Sequence, residues 1–245
     1  MKNKTENRTR NKKDPRNVIR NLLSAGDLEK LLDRAAEIHG HYCSYLALGV
    51  KAVYAAYKRL GITESTGMEE IMAIVECNNC FVDGIQALSG CTLGNNALIY
   101  KDLGKTAVTF FRRGEKEGLR ISVKFSFEKI KDDPDAREAL ALFDRVVKKR
   151  KKLTLQEQER MKELWTKMSF DVLSKPEDDV FNIKRVDVKT MEYSPIFESV
   201  KCSVCGEDVM ETRIRMRENR PVCISCANDN YWMVAGRGIH PMVYS

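Results

Sequence analysis

The chain has 245 residues, of which 43% are hydrophobic and 31% charged. That is enough apolar material for a core and excludes a wholly disordered chain. No apolar run of about 18 residues is present and the N-terminus has no apolar signal stretch, so neither a spanning helix nor a cleaved secretory leader is expected, and a cytoplasmic location is.

The formal charge of +7 is concentrated at one end. Residues 1–20 hold eight Lys or Arg against Glu6 and Asp14, a net +6, which leaves +1 for the other 225 residues. Residues 1–24 therefore read as a basic, Asn-rich, disordered tail that solvates the chain.

Asp27 opens an amphipathic helix with Leu28, Leu31, Leu32, Ala35 and Ile38 on one face; Asp27 is its N-cap and Gly40 its stop. A second helix covers about Ser44–Leu60 and ends at Gly61. Its small residues Ala47, Gly49, Ala52, Ala55 and Ala56 allow another backbone or subunit to approach closely. Ile71–Glu76 is a buried strand that runs into CNNC and a short helix, FVDGIQALSG. Thr106–Arg112 and Leu119–Phe127 form a hairpin. Ala136–Val147 is helical, and the KKRKK run after it is a solvated face. Thr154 and Glu157 make a capping box for a helix to about Met168. Residues 174–200, with Pro176 and Pro195, are a linker that contributes a strand or two. The fold class is α+β, with a core over residues 25–173 and a small module over 201–245.

Eight cysteines fall into two sets, and reducing surroundings argue against disulfides. Cys202, Cys205, Cys223 and Cys226 have the C-x2-C-x17-C-x2-C spacing of two knuckles that close a tetrahedron of thiolates around one structural Zn2+. Gly206 supplies the freedom that the first knuckle's turn needs. Four arginines inside the module (Arg213, Arg215, Arg217, Arg220) balance four acids, which argues against nucleic-acid binding. The piece CGEDVMETRI…RPVCISCA resembles the four-cysteine zinc fingers of the DksA/TraR type.

The early set is Cys43, Cys77, Cys80 and Cys91. Cys43 stands at the start of the second helix, where amides favour a thiolate, with two of the chain's three histidines, His39 and His41, just before it. Cys77-Asn-Asn-Cys80 lies at a strand-to-helix switch and suits either a redox dithiol or half of a metal site. Cys91 sits in a Gly-rich turn, SGCTLGN, whose amides can hold an anion. Cys43 is expected to be the most reactive thiol, with His41 as base and Cys80 as partner. Metal binding and thiol catalysis both remain open on these residues.

HGHYCSYLALGVKA, CNNCFVDGIQALSGCTLGN and DLGKTAVTF are similar to segments of the FmdE family, named after the FmdE component of formylmethanofuran dehydrogenase. With the finger, the resemblance runs from about Asp27 to Ala227. It implies an α+β core with an optional zinc finger, an intertwined homodimer, and association with molybdenum or tungsten enzymes. It also implies a cleft lined by His39, His41, Cys43, Cys80, Asp83, Gln86, Gly90, Cys91, Thr92, Gly94, Asn95 and Lys105, which takes a second metal, a cofactor or a partner. The family often carries Pro-Gly after the cysteine matching Cys43, where this chain has Ser44 and Tyr45, and Cys77 has no clear counterpart. The reading is of an accessory protein, the alternative a stand-alone thiol- or metal-dependent enzyme. A zinc-finger regulator of nucleic acid ranks below both.

Overall fold

The computed structural model describes residues 14–63, 68–124, 132–189 and 192–243. They divide into two compact units with the boundary after residue 191. Among the described residues, no helix is long and apolar enough to cross a membrane.

In the first unit, α1 (Asn17–Ala25), α2 (Leu28–His39) and α3 (Ser44–Leu60) follow in close succession. Each stops at a left-handed glycine, Gly26, Gly40 and Gly61. The Asp27 carboxylate accepts from the Lys30 amide at 3.1 Å, as an N-cap should. Residues 17–24 are helical and not part of a disordered tail. The basic composition concealed the period of Ile19, Leu22 and Leu23, which pack against the core. Residues 1–13 of the expected tail lie outside the described residues.

α3 is the hub of this unit. It packs on α2, on α4 (Cys80–Ser89) and on a later helix, and its buried residues run from Ser44 to Tyr57 around the whole circumference. The stripe Ala47, Ala52, Ala55 and Ala56 is fully covered by the chain's own elements. The small residues thus serve contacts within one chain, and the second helix has no free small-residue face to offer a subunit. The closest approach is to α4: a Cβ on Gly49 would fall 2.3 Å from the Phe81 carbonyl oxygen, and one on Gly84 would fall 2.6 Å from that of Leu46.

A five-stranded sheet has the order β2-β1-β3-β4-β5, formed by β1 (Ile71–Val75), β2 (Leu98–Tyr100), β3 (Ala107–Arg112), β4 (Glu117–Val123) and β5 (Phe181–Asp187). β1 and β2 are parallel and the remaining pairs antiparallel. Every residue of β1 is buried, which explains its unbroken apolar run. The C-terminal part of the expected strand Leu119–Phe127 falls partly outside the described residues.

α5 (Pro134–Phe143) runs into a π-turn at Asp144–Lys148 and packs on α6 (Leu155–Ser174). The Thr154/Glu157 capping box is present, and α6 continues past Met168 to Ser174. The segment expected to be linker from 174 then supplies α7 (Glu177–Val180) and β5, so the core extends to Asp187. β5 was hard to see because it is an edge strand with a polar sequence, FNIKRVD, of which only Phe181 is fully buried.

The second unit consists of three antiparallel hairpins: β6 (Ser199–Lys201) with β7 (Asp208–Met210), β8 (Ile214–Arg217) with β9 (Arg220–Cys223), and β10 (Tyr231–Ala235) with β11 (Gly238–Met242). Glu218 and Asn219, the two loop residues between β8 and β9, both have positive φ, the requirement of a two-residue turn that keeps the strands' twist.

Candidate functional site

The cysteine-rich centre of the core lies where three chain ends converge. α2 ends at His39, α3 begins at Ser44 with Cys43 as its N-cap, and β1 leads through Cys77 to Cys80, the first residue of α4. The close α3–α4 crossing at Gly49 and Gly84 places the two helix N-termini, and so the two thiols, side by side.

Cys43 Sγ accepts the Leu46 amide at 3.4 Å, a sulfur taking the place of the usual capping oxygen. It is also hydrogen-bonded to Cys80. His39 Nδ1 lies 2.7 Å from Asp83 Oδ2. A carboxylate only accepts, so Nδ1 carries a ring proton and Nε2 is the nitrogen turned toward the thiols. That Nε2 stands 3.7 Å from Cys43 Sγ. The His41 ring lies 4.3 Å from the His39 ring between centroids. The ligating atoms of His39, His41 and Cys43 all fall within 4.8 Å of one another.

The electrostatics favour the metal-binding forms of His41 and Cys80. Burial, then the neighbouring His39, lowers the His41 pKa, which keeps its imidazole neutral. The hydrogen bond from Cys43, assisted by His39, holds the Cys80 thiol down to about 6. The same bond, together with burial, pushes Cys43 up. The pair therefore shares one proton, carried on Cys43, and the thiolate is Cys80. This differs from the expectation that Cys43 is the more reactive thiol. A helix N-terminus lies behind both sulfurs, and the deeper burial of Cys43, together with the His39 ring beside Cys80, leaves the proton on Cys43.

Of the other residues expected in the cleft, Cys91, Gln86, Thr92 and Asn95 are placed elsewhere. Cys91 is 2% exposed, its thiol donates to the Ile71 carbonyl at 3.2 Å, and burial pushes it up to about 11. Ile71 begins β1, whereas Cys80 follows the strand's far end, so roughly 13 Å of strand separates their levels. Thr92, Asn95 and Gln86 close their own loop: Asn95 Oδ1 accepts from the Thr92 amide at 2.9 Å, Asn95 Nδ2 donates to the Gly90 carbonyl at 2.7 Å, and Gln86 Oε1 accepts from the Leu93 amide. These contacts engage the amides of the turn that were expected to hold an anion. Gly90 is the left-handed C-cap of α4, and Gly94 belongs to the same loop. The exposed Lys105 binds the Glu76 carbonyl through its amide. Cys77 is buried and donates to Asn79 Oδ1 at 3.6 Å.

One pair beside this centre had no signal in the sequence. The buried Glu76 carboxylate accepts two bonds of 2.7 Å from the Arg120 guanidinium, and this holds its pKa below the usual value. The partners come from β1's end and from β4, and neither belongs to a recognisable motif.

In the second unit, the sulfurs of Cys202, Cys205, Cys223 and Cys226 lie within 4.8 Å of one another. The Cys223 amide donates to Cys202 Sγ and the Cys226 amide to Cys223 Sγ, each at 3.3 Å. Gly206, at φ +77, turns the first knuckle and donates to the Cys202 carbonyl at 2.9 Å. Four converging sulfurs, two of which receive amide bonds, fit one tetrahedral ion with no open position.

Comparison with known proteins follows the same division. The sequence profile of the FmdE family (FmdE, molybdenum formylmethanofuran dehydrogenase operon) matches residues 38–182. The profile of the prokaryotic DksA/TraR C4-type zinc finger matches residues 195–231. A curated relative from Archaeoglobus fulgidus, named as a probable S-adenosyl-L-methionine-binding protein, is 43% identical over 216 residues. That match takes in 86% of this chain but 56% of the relative, so this chain spans little more than half of that protein's length. The crystal structure of a tungsten formylmethanofuran dehydrogenase FmdE-like protein from Syntrophus aciditrophicus superposes with a TM-score of 0.51 at 21% identity. It covers 82% of this chain and 91% of the other, and shows a shared fold. With the four-sulfur geometry, the finger match identifies the second unit as a zinc-binding module.

Proposed function

The chain belongs to the FmdE family, and from that premise we propose that its core is a metal-binding accessory module serving enzymes of the molybdenum or tungsten formylmethanofuran dehydrogenase type. The observation that carries this reading is the convergence of His39 Nε2, His41 and Cys43 Sγ, with Cys80 hydrogen-bonded to Cys43 and Asp83 holding the far nitrogen of His39. A carboxylate that fixes the tautomer of a ligating histidine is the usual outer shell of a transition-metal site. Two imidazoles and one or two thiolates select a thiophilic divalent ion of the zinc class. This donor set includes half-buried Cys80, which can ligate or give way to an incoming group. A bound ion would act there as a Lewis acid. The chain's own residues keep His41 neutral, orient His39 and hold one proton between Cys43 and Cys80.

Metal counting on anaerobically purified full-length protein tests this. Wild type should hold two ions per chain, Cys43→Ser only the finger's zinc, and Cys205→Ser only the core ion. One zinc per chain, lost in Cys205→Ser and untouched in Cys43→Ser, would contradict it.

The Archaeoglobus relative favours a second reading, in which the core binds S-adenosyl-L-methionine. Equilibrium dialysis with the labelled sulfonium separates the two. Saturable binding that persists after the core metal is removed supports the second reading, and its absence leaves the first.

A further inference from the structure

A cavity of about 300 Å³ opens at the other end of the α3/α4 pair from the cysteine–histidine centre. α3 has 17 residues, which places the two sites roughly 25 Å apart along it. α1 forms one wall, and the C-terminal turns of α3 and α4 form the others. Leu88 and Ile62 give it an apolar floor, Tyr54 offers an aromatic ring, and Arg16, Arg20 and Lys58 surround it. Among the described residues that line it there is no carboxylate. Asp14 is engaged by the Arg20 guanidinium and the Arg16 amide. Arg16 caps α4 by donating to the Ala87 carbonyl at 3.0 Å and to that of Leu88. Lys58 lies 6.0 Å over the Tyr54 ring, and among the described residues no carboxylate pairs with it. Among the described residues, three cations stand against one acid around an apolar floor, an excess of positive charge. Burial lowers the Arg16 pKa, and Asp14 only partly offsets it.

We propose that this cavity is a second ligand site, for a small anion with a flat apolar body, of the size and chemistry of a nucleoside monophosphate. The volume is at the lower end for a pocket that encloses a small molecule. The ring of such a ligand lies on the apolar floor beside Tyr54, and its anionic group meets Arg20 and Lys58, which carry donors suited to phosphate or carboxylate oxygens. Neither an apolar cation nor a bare anion uses both halves of the cavity.

Isothermal titration of the full-length protein with AMP, adenosine and inorganic phosphate tests the site. AMP should bind, with adenosine and phosphate each at least tenfold weaker. Lys58→Glu, at an exposed position that leaves the core intact, should weaken AMP at least tenfold, while Cys43→Ser leaves it unchanged. Failure of AMP to bind, AMP affinity unchanged in Lys58→Glu, or equal affinity for adenosine would overturn the assignment.

Discussion

A single methyl group at the α3–α4 crossing tests whether that contact sets the geometry of the metal centre. In most helices, Gly→Ala at an interior position stabilises by about 1 kcal/mol, because alanine restricts the unfolded chain. At Gly49 the new Cβ would lie 2.3 Å from the Phe81 carbonyl oxygen, and restoring an ordinary 3.4 Å contact requires the helices to part by 1.1 Å (3.4 − 2.3). The obstacle is backbone of a neighbouring helix, so no rotamer change relieves it. Overpacking of this kind costs roughly 1–3 kcal/mol or more, enough to cancel the propensity gain and reverse its sign. Gly49→Ala should therefore be less stable than wild type in urea, followed by far-UV circular dichroism, which reads the α-helices of the first unit. Cys43 and Cys80 stand at the N-termini of the same two helices, so the variant should also bind its core ion more weakly while the finger keeps its zinc. A Gly49→Ala protein as stable as wild type, with unaltered core metal affinity, would refute the reasoning.

Three further outcomes are expected. Asp83→Asn replaces the charged acceptor that fixes the His39 tautomer with a neutral amide that can also donate, and core metal affinity, measured by competition with a chelator, should fall about 10–100-fold with zinc in the finger unaffected. Glu76→Gln should cost roughly 2–3 kcal/mol at pH 7, since it breaks a bidentate charged pair. Arg120 lowers the folded-state pKa of Glu76, so the pair's contribution is complete above the ordinary carboxylate value of 4.5 and fades as pH falls through the lowered one. The gap between variant and wild type in urea melts should shrink in that acid range, and a constant gap would contradict the assignment. In reduced, metal-free protein, Cys80 should alkylate fastest of the four core thiols and keep its rate down to about pH 6, with Cys43 and Cys91 both slow. Peptide mapping after a brief pulse of iodoacetamide reads this, and faster labelling of Cys43 would reverse the assignment of the shared proton.

Local signals carried much of this architecture into the sequence. Asp27, Gly40 and Gly61 mark helix ends by backbone and capping chemistry that needs no tertiary partner, and Thr154 with Glu157 does the same. β1 was legible because a strand buried throughout has to be apolar throughout. β5 was not, because one edge strand with alternating exposure and a nearby proline reads as connector. α1 was hidden by arginines whose charge suggests solvent, although Arg16 turns inward to cap α4. The finger was legible from spacing alone because its four ligands are close in sequence. The core centre was half legible. His39, His41 and Cys43 are neighbours in the chain, and Cys80 follows a switch point. The assignment of the shared proton was not legible, because it depends on the relative burial of two sulfurs. The separation of Cys91, Thr92 and Asn95 from the centre depends on which end of β1 each loop meets, a tertiary fact that spacing does not encode.

The central claim is a mixed nitrogen–sulfur metal site in the core. Titration of cobalt(II) into full-length Cys205→Ser protein, whose finger is disabled, examines it directly through thiolate-to-cobalt charge-transfer absorption. One cobalt per chain should bind with that absorption present, and adding Cys43→Ser should abolish it. Cobalt that binds without charge-transfer absorption, or a spectrum unchanged by Cys43→Ser, would contradict the claim.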